Sequence, residues 1–380
     1  MIRRTTALVA AGALVAAGLS LAVQAPATAA AAWTAVPVPV GTDRKIVSAE
    51  IRAFGPDAAL IYALTQPTIC FECTSKFQTF QWTGSVWSEL ATPAIKANGR
   101  PIYAAASLDD QWTFAPTGTD FTFAAYHWNG STWTAHSTPG MKFQPAAAEV
   151  EGPDDVWIAG DDRAGGDINA AVAHWDGVSW KITRLPAGVN RGGAGTIHKI
   201  SDTEIWTAGT GYPASDTFRM SAARFNGVSW SVVAMPDGDG RGNQVTGTSD
   251  DLWITGSRFP KGASSCGITL HATGSGFTRA PDICGTTVDG GVWSAEVVKF
   301  GADWYAGLRP RWSSDRIPGG ALYRWGGSAW QSIAGPYPTT TDVEDLAAIP
   351  GGGSWLLAEG RDAAGKLTGP HLWRSAGAPS

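Results

Sequence analysis

The sequence predicts an all-β fold, built from copies of one four-stranded antiparallel unit and closed into a ring. Three observations predict it. A tryptophan is followed by a proline at one fixed distance in Trp33 and Pro39, Trp87 and Pro93, Trp133 and Pro139, Trp180 and Pro186, Trp230 and Pro236, and Trp330 and Pro336, with a degraded copy at Phe277 and Pro281. The copies recur at roughly 48 residues, a period typical of stacked supersecondary units. The two ends are complementary: Trp33 to Pro39 reads as a fourth strand without the preceding three, and His371-Leu372-Trp373 as a third strand without a fourth.

The clearest copy spans residues 146–186. A small-residue strand through Val150 meets the turn Gly152-Pro153-Asp154-Asp155, and Val156-Trp157-Ile158-Ala159 returns from it. After a polar loop, a third strand over 170–175 reaches Asp176-Gly177, and a fourth begins at Ser179-Trp180 and stops at Pro186. Asp-Gly here, and Asn129-Gly130 and Asn226-Gly227 in other copies, supply the positive φ of a two-residue hairpin. Proline cannot donate to a ladder, so it ends the outermost strand.

The second-strand position reads Leu60, Trp112, Trp157, Trp206, Trp253, Trp304 and Trp355, and the third-strand position Trp82, Trp128, Trp175, Phe225, Ala272, Trp325 and Trp373. With the fourth-strand set, these positions absorb all of the 19 tryptophans except Trp293 and Trp312. Each fills the wedge between neighbouring sheets and buries about 150–250 Å². Joining the two incomplete ends makes seven blades and removes the open edge of a linear stack. The expected fold is a seven-bladed β-propeller, with blades starting near Ile46, Ile102, Ala146, Gly195, Asn243, Gly290 and Val343.

Residues 1–29 read as a secretory signal peptide: Arg3 and Arg4, an apolar run over 7–23, and the small-residue cleavage site Ala27-Thr28-Ala29. The general secretory route is favoured over twin-arginine export, because Thr5-Thr6-Ala7 lacks strongly apolar residues. Residues 30–380 then form a single propeller domain with an extracellular location, and no later stretch reaches the roughly 20 apolar residues of a membrane span. Removing Arg3 and Arg4 from the 28 basic residues leaves a net charge of about −7 against 33 acidic ones. The charges are scattered, without the basic stripe that neutralises phosphates, which argues against a nucleic-acid partner.

The 4 cysteines in an exported chain favour disulfides. Cys70 with Cys73 and Cys266 with Cys284 keeps each pair within one repeat, contributing about 2 and about 3 kcal/mol by loop closure. A four-cysteine zinc site stays open, because Cys70 and Cys73 have ligand spacing, but it would need two distant repeats to meet.

The run His127-Trp128-Asn129-Gly130-Ser131-Thr132-Trp133, with Pro139 and Asp154-Asp155-Val156-Trp157, resembles the secreted bacterial tandem-repeat β-propellers of unassigned role, over the whole mature chain. Leu322-Tyr323-Arg324-Trp325 through Trp330 is also similar to a tectonin repeat, a lectin propeller family with a shorter period. That resemblance implies a propeller that binds carbohydrate. Of the sialidase turn only the Asp-Gly-Trp core survives, as in Asp176, Gly177 and Trp180, without a matching arginine set.

In such a blade the first-to-second and third-to-fourth turns share one face and are repetitive. The second-to-third loops and blade crossings share the other and vary, and variable loops on a rigid scaffold carry recognition. The richest is in blade six: Arg309, Arg311, Trp312, Asp315 and Arg316, with Trp293 within reach. An aromatic flanked by guanidinium groups and a carboxylate suits stacking on a sugar or clamping an acidic group. Tyr212 and Arg219 in blade four and Arg258 in blade five are lesser candidates; an alternative reading has Trp312 packing under its own turn.

Catalytic-looking groups have structural explanations. Asp109-Asp110, Asp154-Asp155 and Asp250-Asp251 fall on the repetitive turn, where Asx hydrogen bonds brace it; only Asp161-Asp162 lies on the variable face. His127, His174, His271 and His371 share one repeat position with Arg224 and Arg324, one per blade, and cannot converge on a metal. His198, Glu149 and Glu296 fall near the inner strands and could line the central channel. Residues 237–242 open like a calcium loop, but Arg241 replaces a ligand and Thr248 stands where a glutamate should close it. The reading is a noncatalytic exported protein, without cofactor, that binds a glycan, a cell-wall polymer or a protein. The alternative is a propeller-class glycoside hydrolase or lyase acting on an extracellular polysaccharide.

Overall fold

Short segments of alternating burial, bounded by Asp-Gly, Asn-Gly and Asp-Asp turns, can satisfy their backbone only by pairing with one another. A computed structural model describes residues 33–380 apart from 39, 42, 70–74, 94–99, 119, 139, 190–193, 212–218, 237–239, 261–262, 274–275, 286–290, 311–316, 318–319, 338 and 380. The described residues form seven antiparallel sheets, each with four strands in meander order, and blade five carries one short extra strand, Ile283–Cys284. The chain is a seven-bladed β-propeller. The expected export signal and the Cys70 and Cys73 pairing lie outside the described residues. Among those described, no helix is long and apolar enough to cross a membrane.

The inner strands are Arg44–Gly55, Ile102–Ser107, Phe143–Gly152, Ala194–Ser201, Arg241–Thr248, Val292–Phe300 and Thr339–Ala348. Several begin earlier than the sequence pattern indicates. Their first residues are offset by β-bulges, at Ile46/Ser48, Pro145/Ala147, Ala194/Thr196, Gly242/Gln244 and Thr340/Asp342. A bulge adds a residue to one strand and breaks the alternation that announces it.

The ring closes as its ends require. Thr34 pairs with Arg374 and Ala35 with Trp373, making the N-terminal strand the outermost strand of the last blade. The Val36 amide donates to the Leu372 carbonyl at 2.9 Å and extends the seam.

Between blades the tryptophans follow one rule: the second-strand ring of one blade is covered by the third- and fourth-strand pair of the next. Trp355 lies 5.3 Å from both Trp82 and Trp87, Trp112 6.3 and 6.2 Å from Trp175 and Trp180, and Trp253 5.1 and 5.4 Å from Trp325 and Trp330. Trp112, Trp253 and Trp355 are fully buried. Emptying one such position costs about 3–5 kcal/mol.

The paired aspartates have a different task from the one their turn position suggests. The second member of each pair reaches across its blade to the third-strand histidine: Asp110 to His127 at 2.9 Å, Asp155 to His174 at 2.9 Å and Asp251 to His271 at 2.8 Å. Glu204 with Arg224 (3.1 Å) and Asp303 with Arg324 (2.9 Å) repeat the brace with other residues. Each histidine also lies flat on the second-strand indole, with centroids 4.6, 3.9 and 4.2 Å apart for Trp112, Trp157 and Trp253.

The Asx bonds belong to the other turn, where Asn129, Asp176 and Asn226 accept from backbone amides two and three residues on. Asp109 and Asp154, the first aspartates of two pairs, pack on the hairpin glycines Gly130 and Gly177. At Gly177, φ is +86° and an added Cβ would stand 2.9 Å from Asp154. Turn conformation and close approach both require glycine there.

Candidate functional site

On the variable face, Arg311, Trp312, Asp315 and Arg316 of the blade-six loop lie outside the described residues, as does Tyr212. Of the expected set, Trp293, Arg258, Arg219 and Arg309 are placed. Trp293 is the second residue of blade six's inner strand, Val292–Phe300. It is 45% exposed, although free indoles of its size are normally covered. Its ring meets Phe259 at 5.6 Å, and the Arg241 guanidinium lies over Phe259 at 5.5 Å. Arg258, beside Phe259, pairs with Asp282 at 3.0 Å, and Arg279 holds the same carboxylate at 2.8 Å.

The structure therefore gathers an aromatic pair and three guanidinium groups at the rim of blades five and six. Phe259 was not singled out from the sequence, and Arg241 only as the residue that replaces a ligand in the calcium-like loop. The available signal was position, since Phe259 follows Arg258 in the second-to-third loop. The bond between Cys266 and Cys284 (S–S 2.07 Å) anchors that rim, and it uses two of the four thiols that a zinc site would need.

Arg309 and Arg219 stand apart. Arg309 turns inward and pairs with Glu344 of blade seven at 2.8 Å, so it joins two blades at the channel wall. Arg219 is exposed at the start of blade four's third strand, opposite Gly211. Asp161 is bound by Arg163 at 2.9 Å and Asp162 by Arg184 at 2.6 Å. Burial raises the Asp161 pKa against the pull of Arg163. The residues 237–239 of the calcium-like loop lie outside the described set.

A central channel of about 740 Å³ runs between the inner strands. Glu149, His198 and Glu296 line it, as their strand positions predict. Their partners are structural. Glu149 accepts from the Lys199 amide at 2.9 Å and contacts His198 Nδ1 at 3.2 Å, while His198 Nε2 meets the Gly247 carbonyl at 2.9 Å. Burial works against the charged imidazole, but the Glu149 hydrogen bond and charge outweigh it and raise the His198 pKa. The Gln244 side chain takes the Val297 amide at 2.7 Å, and Asp345 takes the Ile51 amide. Thus one inner-strand side chain ties blade three to four, another five to six, and a third seven to one.

The carboxyls concentrate at the seam of blades six, seven and one. Glu296 is raised well above the usual carboxylate range by burial and then by the charge of Asp345, to which it is hydrogen-bonded. Burial likewise lifts Asp345 to about 6 and Asp342 and Glu344 to about 7. A carboxyl donating directly to a carboxylate shares one proton with it. Glycosidic cleavage instead needs two acids about 5–9.5 Å apart with a sugar between them.

No protein-family model matches the sequence, and no curated protein matches it significantly. Solved structures do resemble the fold. YCF48 from Cyanidioschyzon merolae shares 14% identity at a TM-score of 0.53, over 91% of this chain and 99% of that one. The GH74 xyloglucanase from Xanthomonas campestris shares 15% at 0.57, over 91% of this chain and 54% of that one. The β-propeller domain of the Trilobed protease from Pyrococcus furiosus shares 12% at 0.53, over 88% and 94%. At these identities the likeness establishes the propeller architecture.

Proposed function

We propose that the protein is an exported, noncatalytic binding propeller that takes a glycan, a cell-wall polymer or a protein on the variable rim of blades five and six. The observation that carries this reading is Trp293: it serves no repeat position, remains 45% exposed, and has Phe259 and Arg241 built in behind it. An indole face with guanidinium neighbours suits the apolar face of a sugar or an acidic group beside an apolar one. Arg311, Trp312, Asp315 and Arg316, which follow Arg309 in the sequence, carry the same chemistry. A disulfide and the residues 1–29 agree with an extracellular site of action, and N-terminal sequencing of secreted protein should start near Ala30.

The test is binding of the mature protein to glycan and peptide arrays and to purified cell-wall fractions, with Trp293→Ala and Trp312→Ala as variants. Saturable binding that drops about tenfold or more in either variant supports the rim site; binding unchanged in both removes it. A second reading, a polysaccharide hydrolase or lyase, draws on the acidic channel. It requires turnover that vanishes in Glu296→Gln or Asp161→Ala.

A further inference from the structure

One of the inter-blade wedges is left open. The second-strand residues Leu60, Trp112, Trp253 and Trp355 are fully buried and Trp206 and Trp304 nearly so, whereas Trp157 is only partly covered. Two residues account for this. Blade four offers Phe225, 6.1 Å from Trp157, where blade three offers Trp175 to the preceding wedge. On the fourth strand, three residues after the tryptophan or its Phe277 replacement, the chain has Val36, Leu90, His136, Thr183, Val233, Ala280 and Ile333. The short Ala280 leaves no gap because Trp325 and Trp330 of the next blade both cover Trp253, so a wedge opens only where a short residue meets a blade that offers Phe225. In blade two His136 fills the gap, with its ring 4.6 Å from Trp112 and 5.1 Å from Trp175. Thr183 holds the same register place in blade three, opposite Val172 as His136 is opposite Ala125, and is too short to do so. The result is a groove of about 750 Å³ between blades three and four, within the size range of small-molecule sites.

The groove's chemistry is specific. Trp157 and His174 are stacked on one wall, and Phe225 and Trp230 form the other. Two basic side chains at its edge are already engaged: Lys199 by Asp155 and Asp202, and Arg184 by Asp162. Of the other charged groups on the lining, Asp176 accepts the Val178 and Ser179 amides and Asp154 packs on Gly177 at the hairpin mouth, while Lys181, opposite His174 on the outer strand and exposed, has no carboxylate partner among the described residues. Thr183 adds a hydroxyl in the depth of the wedge. Aromatic walls select a ring with an apolar face, hydroxyl and carboxylate edges satisfy ring hydroxyls, and a lone ammonium selects one negative charge. We infer that this groove is a second binding site, on the flank of the ring away from the variable rim, for a pyranose that carries a carboxylate. This deepens the binding reading above without depending on Trp293.

Titration calorimetry of the mature protein tests it with three probes: a glucuronic-acid-containing trisaccharide, a neutral trisaccharide of the same linkage, and benzoate as an acid with a flat ring and no hydroxyls. The uronate should bind saturably and the neutral sugar about tenfold or more weaker. Lys181→Met should bring the two sugars to equal affinity. Thr183→His, which copies blade two, and Phe225→Trp, which copies blade three, should each abolish binding while the melting temperature holds. Trp293→Ala should leave uronate binding intact, so failure here and failure of the rim site are separable. Absence of heat with every probe, a preference for benzoate, wild-type affinity in both filling variants, or loss in Trp293→Ala alone would overturn the assignment.

Discussion

Raising the pH should destabilise this propeller across a range in which most proteins change little, and the effect traces to Glu344. Its side chain is 8% exposed and pairs with Arg309 through one oxygen, but its other oxygen, Oε2, is buried without a partner among the described residues. Burial lifts its pKa from an ordinary value of 4.5 to about 7, beyond what Arg309 restores. A carboxyl raised in the folded state keeps a proton that the unfolded chain has released. Its stabilising contribution is therefore complete below about pH 4.5 and is lost as the pH rises through 7. At 1.36 kcal/mol for each pH unit between the two values, Glu344 accounts for at most about 3 kcal/mol. Unfolding entropy of about 2.1 cal/mol/K per residue, over roughly 350 residues, converts that into about 4 °C.

Asp342, Asp345 and Glu296 are raised too, and His198, also raised, loses its contribution above about pH 6.5, in the same direction. The lowered groups Asp155, Glu204 and Asp251 keep their full stabilising contribution across this range and lose it only as the pH falls below the ordinary carboxylate values. Calorimetric melts from pH 5 to pH 8 should show the wild-type midpoint falling by more than 4 °C, with Glu344→Gln recovering about 4 °C of the fall. A flat or rising midpoint, or an identical fall in Glu344→Gln, would refute the reasoning.

Asp155→Ala should cost about 2–3 kcal/mol in denaturant unfolding, because Lys199 is 8% exposed and His174 and Trp157 also lose their acceptor. Asp303→Ala removes the more exposed brace to Arg324 and should cost less than about 1 kcal/mol. Trp112→Ala should cost about 3–5 kcal/mol and Trp157→Ala clearly less, since only the first ring is enclosed. Gly177→Ala should destabilise more than Gly327→Ala by thermal melting: both have positive φ, but only at Gly177 would the new methyl meet a neighbour.

The repeat was legible because its tryptophans and hairpin glycines do the same physical work in each blade, and the closure because the two ends hold complementary strands. Cys266 and Cys284 were readable as a pair by lying in one repeat. The aspartate braces were not read correctly. Asx turns are a local device, whereas Asp155 and His174 meet only once second and third strands are in register. The inward turn of Arg309 escaped for the same reason, since Glu344 belongs to the next blade. The open wedge was available in principle: Thr183 is the one hydroxyl at a position that otherwise holds Val36, Leu90, His136, Val233, Ala280 and Ile333, but its meaning depends on which neighbour that position faces.

Polar side chains around the channel latch neighbouring blades in a chain that runs from blade three round to blade one. Three and four, five and six, and seven and one are joined through Glu149, Gln244 and Asp345, and four and five through His198 and six and seven through Arg309 and Glu344, which leaves blade two without such a latch among the described residues. It stays in the circle chiefly through surfaces in contact, including the stacked phenols of Tyr62 and Tyr103 at 4.6 Å on one flank. If the circle breathes, that unlatched member is where amide exchange should begin, on the side of the molecule opposite the covalently stapled rim.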